Sequence, residues 1–570
     1  MIGFLRNAMA AAALIALLLP GATVAGGGEG SADRLMVAAA DERAVEAGLE
    51  LLRRGGNAVD AAVAVQLVLN LVEPQNSGIG GGAFMLFYDA KAKSVVSYDG
   101  RETAPAAAEG DLFLEADGTP MAFLDALVGG RGVGVPGTLR LLERAHREQG
   151  RLPWTDLFAP AIALAEDGFA ISPGLARSIA RAPELDRYGP ARGYFFDPEG
   201  RPKEAGTRLV NGAFATTLRR LAAQGADAFY RGAIAAEIAA TVQGAAGNPG
   251  LITEADIAAY EAKRREPVCA AYRVWTVCGM GPPTSGGLTT LQILGILENF
   301  ELARLAPGSL EAVHLISEAS RLAYADRARY MADSDFVLVP TEGLIDKTYL
   351  AERAALIGMD RRIESVAPGD PLGATTITRA SFEPLEAIST SHFSIVDAEG
   401  NAVAMTSSIE QAFGSRLMVQ GFLLNQQLTD FSFRPEVDGV PVANRVEGGK
   451  RPRSSMAPTL VFDANGDLFL VVGSPGGPLI IGYVVQTLVA VLDWGLDIQA
   501  AIALPRHVDW SGPIVLEKNS PLEELAPGLR SLGHDVKFSE FHSGLHGIMV
   551  TPEGLIGGAD PRKEGVARGD

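Results

Sequence analysis

The amino-acid sequence predicts a layered α/β sandwich, with helices on the outside and strands inside. Residues 105–380 show mainly helical patterns, interrupted by glycine and proline. After Thr390 the pattern changes to strands, with 392–397 and 402–409 flanking a clear hairpin turn. A further strand is expected at 468–472, followed by a long apolar helix. The strands are therefore concentrated near Thr390, and we expect the helices to cover them.

The first 25 residues have the pattern of an export signal. Arg6 gives a positive start, 8–19 is an unbroken apolar run, and a Pro-Gly pair ends it before the small residues Ala22 and Ala25. The run is too short to span a bilayer as a stable helix. We therefore expect 1–25 to be removed and the protein to be exported, to the periplasm or the medium. A buried N-terminal helix is the alternative.

Two helices are expected at the start of the fold. Residues 41–54 form an amphipathic pattern stopped by a Gly-Gly pair, and Asn57 then caps a mostly apolar helix at 58–72. The glycine-rich segment 78–83 has a weak likeness to a dinucleotide-binding fingerprint, but that motif needs a strand before it and a helix after it. Here a helix precedes it and a strand follows. We interpret it as a tight helix-to-strand passage and predict no nucleotide site.

The only two cysteines, Cys269 and Cys278, lie in a pattern of two short strands around Arg273. A two-residue turn at Arg273 and Val274 would place the cysteines opposite one another. In an exported protein a disulfide at this position would be a local staple. Two free buried thiols remain the alternative.

Composition and missing motifs exclude several classes of function. The net charge of −19 and the absence of a long basic run argue against nucleic acid and anionic membrane surfaces as main partners. The seven histidines show no H-E-x-x-H spacing, and the chain has neither a phosphate loop nor a G-x-S-x-G elbow. We therefore expect no metal and no cofactor.

Thr390 is the predicted nucleophile. It lies in the polar run Ser-Thr-Ser-His at 389–392, directly before a strand and after a stretch at 360–389 that suits an exposed tail. A threonine in mid-chain has no group nearby to take its proton. A threonine at a new N-terminus carries its own base, because an α-amine with a pKa near ~7.7–8.0 is partly neutral at pH 7. We therefore hypothesise a cut between Ser389 and Thr390. The alternative is that Thr390 only starts a strand.

The hairpin turn predicts which side chains lie beside Thr390. If Glu399 and Gly400 form the turn, Thr390 faces position 409, within a residue of Ser408 and Glu410. A hydroxyl there could hold the threonine or its amine, and a carboxylate could receive a substrate ammonium. Each could also be a solvent-facing polar strand residue.

Three other segments carry side chains suited to a charged ligand. The run Gly-Ser-Pro-Gly-Gly at 473–477 follows a strand and opens a helix, so its N–H groups could stabilise an oxyanion, although a tight turn would look the same. Residues 450–456 combine basic and hydroxyl side chains suited to a carboxylate, and 424–431 offers amides and a carboxylate suited to an ammonium. Arg101 lies in a turn-like strand exit, where a surface arginine is the usual interpretation. An anion and a cation receptor near one nucleophile would describe an amino-acid head group.

Together these motifs resemble those of the γ-glutamyltranspeptidases, also called glutathione hydrolases, of the N-terminal-nucleophile hydrolase class. The resemblance covers nearly all of the chain after residue 25, with the motifs in the same order. The matching segments are 55–62, 78–85, 101–105, 136–138, 282–287, 390–392, 424–431, 451–458 and 473–477.

The resemblance implies an αββα sandwich formed from one precursor that cuts itself into a large subunit, 26–389, and a small subunit, 390–570. It implies Thr390 as the nucleophile, Ser408 as the hydroxyl that assists it, and Gly476 and Gly477 as the oxyanion-hole glycines. The positions implied for the substrate head group are Arg101, Ser454 and Ser455 for the α-carboxylate, and Glu410, Gln427 and Asp430 for the α-ammonium.

The activity implied is hydrolysis and transfer of the γ-glutamyl group of glutathione and related compounds, through an acyl-enzyme on Thr390 that water or an amino-acid or peptide acceptor resolves. No cofactor is implied. The chain departs from the family's usual pattern at Ser391 and Ser408, where threonine is often found. The lid segment at 432–449 is shorter than the longest lids and lacks tyrosine and tryptophan. This leaves lid closure and acceptor preference open.

Two alternatives remain at this point. Some relatives on this scaffold are cephalosporin or glutaryl acylases, whose glutaryl chains lack the ammonium that Glu410 and Asp430 would meet. The other alternative is an unprocessed, non-catalytic binding protein, against which the intact Thr390 and the glycine pair argue.

Overall fold

The computed structural model describes residues 30–374, 378–381, 389–510 and 512–570. The predicted signal at 1–25 lies outside the described residues. Two seven-stranded sheets form the centre of the molecule. In chain order their strands are β1 (Gly30–Ala32), β2 (Met36–Ala39), β3 (Gly82–Asp89), β4 (Ser94–Gly100), β5 (Lys263–Arg265), β6 (Val268–Tyr272), β7 (Trp275–Gly279), β8 (Ser391–Val396), β9 (Ala402–Ser408), β10 (Thr459–Phe462), β11 (Leu468–Gly473), β12 (His546–Thr551), β13 (Gly554–Ala559) and β14 (Val566–Gly569).

The two sheets are antiparallel and pack face to face. The first has the strand order β14-β2-β8-β9-β3-β4-β5 and the second the order β1-β13-β12-β11-β10-β7-β6. Strands β8 and β9 of the first sheet lie against β11 of the second. Apolar side chains such as Phe84, Ala404 and Val471 are fully buried in the core that includes this interface.

Helices cover both outer faces. The described helices of eight or more residues are α1 (Glu42–Arg53), α2 (Ala58–Val72), α3 (Thr138–Gln149), α4 (Ala159–Asp167), α5 (Pro173–Arg181), α6 (Gly212–Gln224), α7 (Ala233–Gln243), α8 (Gly286–Leu297), α9 (Leu310–Tyr330), α10 (Lys347–Ala354) and α11 (Ile480–Leu492). Helices α1 and α2 pack on the first sheet, and α8 and α11 on the second. This arrangement confirms the predicted αββα sandwich. No helix within the described ranges is long and apolar enough to cross a membrane.

The start of α2 shows how local sequence sets an element. The Asn57 side chain accepts hydrogen bonds from the Val59 and Asp60 N–H groups, and the Asp60 carboxylate accepts one from the Asn57 N–H. This reciprocal capping box satisfies donors that a helix start leaves free. Every residue of α2 is buried, which explains why its sequence is apolar on nearly all sides. The predicted helix, 58–72, is confirmed.

The two sides of the expected cut share both sheets. In the first sheet, β8, β9 and β14 come from after Thr390, and β2 to β5 come from before it. In the second sheet, β10 to β13 come from after Thr390 and lie between β1 on one side and β7 and β6 on the other. Neither part of the chain therefore completes either seven-stranded sheet without the other.

The cysteine hairpin has the predicted register. Cys269 pairs with Cys278 across β6 and β7, and the two form a disulfide. The turn contains Arg273 in the left-handed region, with φ 55°. The disulfide alternative, which the sequence left open, is therefore the one found, and it joins two neighbouring strands at an edge of the second sheet.

Candidate active site

Several of the predicted site residues lie where four neighbouring strands of the first sheet, β8, β9, β3 and β4, end side by side. The registers that define this edge are Ser391 with Ser407, Ser408 with Gly82, and Ala83 with Gly100. Continued by one residue, they align Thr390, Ser408, Gly82 and Arg101 in one row. Because neighbouring strands are ~4.8 Å apart, the backbones of Thr390 and Arg101 are roughly 14 Å apart.

The partner of Thr390 is Ser408, one residue earlier than the position-409 prediction. The reason is the turn between β8 and β9. The Asp397 N–H donates to the Asn401 carbonyl at 2.9 Å, so the loop has three residues centred on Glu399. A two-residue turn at Glu399 and Gly400, as predicted from the sequence, would pair Thr390 with position 409 instead.

Thr390 is 3% exposed and lies directly against the peptide bond that the hypothesis would cut. Its hydroxyl donates a short hydrogen bond to the Ser389 carbonyl oxygen. The Ser408 hydroxyl donates to the same oxygen at 3.2 Å and accepts from the Glu410 N–H at 2.8 Å. Two hydroxyls thus converge on one carbonyl oxygen, where negative charge would develop if that carbonyl were attacked.

Ser389 is held by a loop that the sequence did not single out. Its hydroxyl bonds to the Asn76 side-chain oxygen at 2.6 Å and to the Gln75 carbonyl at 3.0 Å. The loop lies between α2 and β3, more than 300 residues away in sequence. These bonds fix the side chain on the acyl side of the Ser389–Thr390 peptide bond.

Arg101 is fully buried rather than a surface residue. Its guanidinium donates to the Pro452 carbonyl at 3.1 Å and the Arg453 carbonyl at 3.1 Å, and it forms a short ion pair with Asp430. Although burial opposes its charge, the carboxylates of Asp430 and Glu410 raise the pKa of Arg101 above its ordinary value. Arg101 is therefore charged. Its Nη1 atom is buried and has no hydrogen-bond acceptor among the described residues.

The predicted ammonium receptor forms one connected group with Arg101. The Gln427 amide donates to Glu410 at 2.5 Å and to Asp430 at 2.9 Å. Asp430 is also ion-paired with Arg101. Glu410 has a φ of 79°, a conformation that costs a non-glycine residue about 1–3 kcal/mol and is typical of functional sites. The sequence treated the anion and cation receptors as separate, whereas the structure joins them through Asp430.

Ser454 and Ser455 follow the main-chain carbonyls that hold Arg101. The Ser454 hydroxyl accepts from the Met456 N–H at 3.1 Å, and the Ser455 hydroxyl accepts from the guanidinium of Arg327 at 2.6 Å. Both residues are buried. Ser454 therefore directly follows the Arg453 carbonyl that binds Arg101, and Ser455 contacts a second buried cation, Arg327.

The glycine loop at 473–477 meets the nucleophile strand from the second sheet. A side chain at Gly473 would collide with the His392 ring, at 2.3 Å from Cε1, so the loop lies two residues from Thr390. Gly476 and Gly477 have φ values of 135° and 56°, which side chains rarely adopt. A short turn at Gly477–Leu479 then leads into α11. Both predicted oxyanion glycines therefore lie just before α11, in the loop that begins at Gly473 against the His392 ring.

Glu102 lies in the matching segment 101–105, but the sequence did not predict a functional role for it. It is fully buried, and burial raises its pKa to about 8 despite the nearby charge of Arg101. Its carboxylate is 3.6 Å from Arg101 Nη1. Glu102 is therefore largely neutral at pH 7. Its place after a strand-end arginine was visible in the sequence, but its burial was not.

The predicted lid at 432–449 is anchored on both sides of the receptor group. It contains a small hairpin, Glu436–Val437 with Val440–Pro441, and the Phe433 ring stacks on Phe113 at 4.5 Å between centroids. Asn444 donates to the Asp430 carbonyl at 2.7 Å and accepts from the Arg453 N–H at 2.8 Å. The predicted lid, which lacks tyrosine and tryptophan, is thus held in place by Phe433 and Asn444.

The chain is similar in sequence to several known proteins. A family profile described as gamma-glutamyltranspeptidase matches residues 44–569. A glutathione hydrolase proenzyme of Bacillus subtilis (strain 168) is 38% identical, over 94% of this chain and 91% of the relative. A protein of Pseudomonas sp. (strain SE83) named acylase ACY 1 proenzyme is 35% identical, over 93% of this chain and 92% of the relative.

The solved structures include a similar whole fold. The crystal structure of a cephalosporin acylase from Bacillus halodurans matches with a TM-score of 0.84 and 26% identity, covering 98% of this chain and all of that one. The profile match and the relatives above 30% identity show that this chain belongs to the γ-glutamyltranspeptidase family, which confirms the predicted enzyme class, a γ-glutamyltransferase.

Proposed function

We propose that this chain cuts itself between Ser389 and Thr390 and then hydrolyses and transfers the γ-glutamyl group of glutathione and related compounds. The observation that carries the proposal is the row at the edge of the first sheet. It combines a hydroxyl nucleophile at Thr390, an assisting hydroxyl at Ser408 and a buried charged receptor at Arg101. The relatives named glutathione hydrolase proenzyme support both the activity and the maturation.

Maturation would use the contacts of the uncut chain. Thr390 Oγ attacks the Ser389 carbonyl carbon, the C–N bond breaks, and the hydroxyl proton passes to the departing nitrogen, which becomes the free α-amine. Water then hydrolyses the ester on Thr390 Oγ and leaves a carboxylate on Ser389. The Ser408 hydroxyl already points at the oxygen that gains charge, and Asn76 holds the Ser389 side chain. These contacts favour attack at this peptide bond over its neighbours.

Catalysis would reuse the same hydroxyl with a new base. The α-amine of Thr390 accepts the hydroxyl proton as Oγ attacks the γ-carbonyl carbon of the substrate. The N–H groups of Gly476 and Gly477 stabilise the oxyanion. The amide C–N bond then breaks, and the departing amine takes the proton. Water or the amine of an amino acid or peptide resolves the ester, giving glutamate or a new γ-glutamyl compound.

The head group would bind at the connected receptor. The α-carboxylate fits Arg101, whose Nη1 donor has no acceptor among the described residues, with Ser454 and Ser455 close by. The α-ammonium fits the Glu410 carboxylate, held by Gln427. Asp430 links the two charges by pairing with Arg101. A charged carboxylate and a charged ammonium would both find partners of opposite sign there.

Subunit boundaries and export complete the proposal. The large subunit would be 26–389 and the small subunit 390–570, joined as a heterodimer after removal of 1–25. Shared strands in both sheets support a stable pair. Export to the periplasm or the medium would be tested by cell fractionation and by N-terminal sequencing of the larger fragment, which should begin near residue 26. A larger fragment that keeps Met1 would contradict export through this signal.

The second candidate is a glutaryl or cephalosporin acylase, favoured by the relative named acylase and by the Bacillus halodurans structure. A glutaryl chain keeps the terminal carboxylate but lacks the α-amine, so it offers no ammonium to the carboxylates of Glu410 and Asp430. Side-by-side kinetics with γ-glutamyl and glutaryl anilides separate the two candidates. We expect at least roughly a hundredfold higher kcat/KM for the γ-glutamyl anilide. Equal rates, or faster glutaryl cleavage, would move the assignment to the acylase.

A further inference from the structure

A cavity of about 370 Å³ opens beside Ser389. Its walls include the loop that holds Ser389, helix α5, the segment before β14, and the residues Gln411, Ala412 and Arg416 that follow β9. None of the head-group residues named above lines it. In the first sheet, β14 lies on the side of β8 opposite to β9, β3 and β4, and β4 leads to Arg101. The cavity therefore meets the chain one residue before the nucleophile, at a place that the Arg101 receptor does not line.

The cavity is lined by cations in a protein whose net charge is −19. Arg177 and Arg181 lie one turn apart on α5, and Lys563 also lines the cavity. Within the described part of the chain, none of these three has an ion-pair partner. Their combined charge, with burial as the larger cause, holds the pKa of His542 below its ordinary value, so all three act on the same space.

The two glutamates that line the cavity already accept hydrogen bonds from other residues of the protein. The Glu564 carboxylate accepts the Gly174 N–H at 2.7 Å, and Glu73 accepts the Ser391 hydroxyl at 2.9 Å. Burial raises the pKa of Glu73, which further reduces its negative charge. Two other arginines are also accounted for: Arg562 is paired with Glu517, and Arg416 donates to main-chain carbonyls. Cations therefore outnumber carboxylates among the described residues that line the cavity.

We propose that this cavity binds the leaving group and the acceptor, and that Arg177 and Arg181 select those with acidic side chains, such as short acidic peptides. The inference rests on the proposed function. When the acyl group occupies the Arg101 side of Thr390, the amine that leaves, or the one that attacks, must occupy the other side. A second carboxylate on that amine reaches the α5 arginines and gains a partly screened ion pair.

The test uses two dipeptides whose leaving groups differ by one carboxylate, γ-glutamyl-glutamate and γ-glutamyl-glutamine. The ratio of their kcat/KM values is measured within each variant, so that a general change in activity cancels. We expect wild-type enzyme at low salt to favour γ-glutamyl-glutamate by roughly three- to fivefold, as one exposed ion pair allows. The ratio should fall towards one in high salt.

The variant Arg177→Gln/Arg181→Gln should bring the low-salt ratio to about one. Arg192→Gln, an exposed arginine on the next helical segment that does not line the cavity, should keep the wild-type ratio. A wild-type ratio near one, or a ratio that the double variant leaves unchanged, would overturn the inference alone. If wild-type enzyme cleaves no γ-glutamyl anilide either, the proposed function fails and the inference fails with it.

Discussion

At the scale of single residues, burial decides which polar side chains act. Arg101 follows a strand in sequence like many surface arginines, yet it is fully buried and pairs with Asp430. A buried charge without partners would cost several kcal/mol, so its neighbours must carry the opposite charge. The sequence could name Arg101 and Asp430 as candidates through the family resemblance. It could not show that they contact each other, because they are 329 positions apart.

Arg101→Lys should weaken binding of the substrate carboxylate. A lysine ammonium cannot reproduce the planar fork that contacts Asp430, two main-chain carbonyls and a substrate at once. We expect kcat/KM for a γ-glutamyl anilide to fall at least ~tenfold, about 1.4 kcal/mol. The cut at Ser389 should still occur, since Arg101 does not contact Ser389 among the described residues. Unchanged kinetics would remove Arg101 from the site.

Asn76→Ala should slow maturation. It removes the acceptor that holds the Ser389 hydroxyl at 2.6 Å, and the scissile carbonyl loses a fixed orientation. We expect the rate of conversion to two fragments to fall about tenfold, or ~1.4 kcal/mol, on a denaturing gel time course. Gln75→Ala is the matched control, because Ser389 contacts only the Gln75 carbonyl. Equal rates for the two variants would show that Asn76 has no role in maturation.

Glu102 gives the site a pH dependence. Its folded pKa of about 8 is raised above the ordinary carboxyl value by burial, so it is neutral below pH 8 and becomes charged above it. A charged Glu102 competes with the substrate carboxylate for Arg101. We expect the KM for a γ-glutamyl anilide to rise between pH 7 and pH 9.5, and to rise less in Glu102→Gln. The same rise in both proteins would assign it to another group.

At the scale of elements, the hairpin of β8 and β9 carries most of what sequence could predict. Alternation and an Asp-Ala-Glu-Gly-Asn turn predicted two strands and placed Ser408 within one residue of the position that faces Thr390. The error of one residue came from the turn length, which sequence specifies poorly. The contact of Ser389 with Asn76 had no sequence signal, since it depends on how a distant loop packs. Helix starts such as Asn57 were predictable because capping is local.

The sharing of strands predicts that cleavage does not separate the fragments. Strands from before and after Thr390 alternate within the first sheet, so separation would expose long unpaired edges and both cores. We expect the cut protein to elute as one species in gel filtration, with two chains appearing only in denaturant. Elution as two species without denaturant would contradict the shared-sheet arrangement.

At the scale of the whole molecule, the fold brings two charged sites close to one nucleophile. The Arg101 receptor carries both signs of charge, and most of the charged residues that line the α5 cavity beside Ser389 are cations. The fold itself was predictable from the family resemblance and from the clustering of strands after the expected cut. The α5 cavity was not predictable from the sequence. Its walls come from the loop after α2, from α5 and from the segment before β14, and these meet only in the folded chain.

Thr390 is proposed to become an N-terminal nucleophile, and N-terminal sequencing of the smaller fragment tests this proposal. Purified protein should give two chains on a denaturing gel, and the smaller one should begin Thr-Ser-His, from Thr390. Thr390→Ala should remain one chain, because it lacks the attacking hydroxyl. An active enzyme that stays as a single intact chain, or a smaller fragment that begins at another residue, would contradict the account.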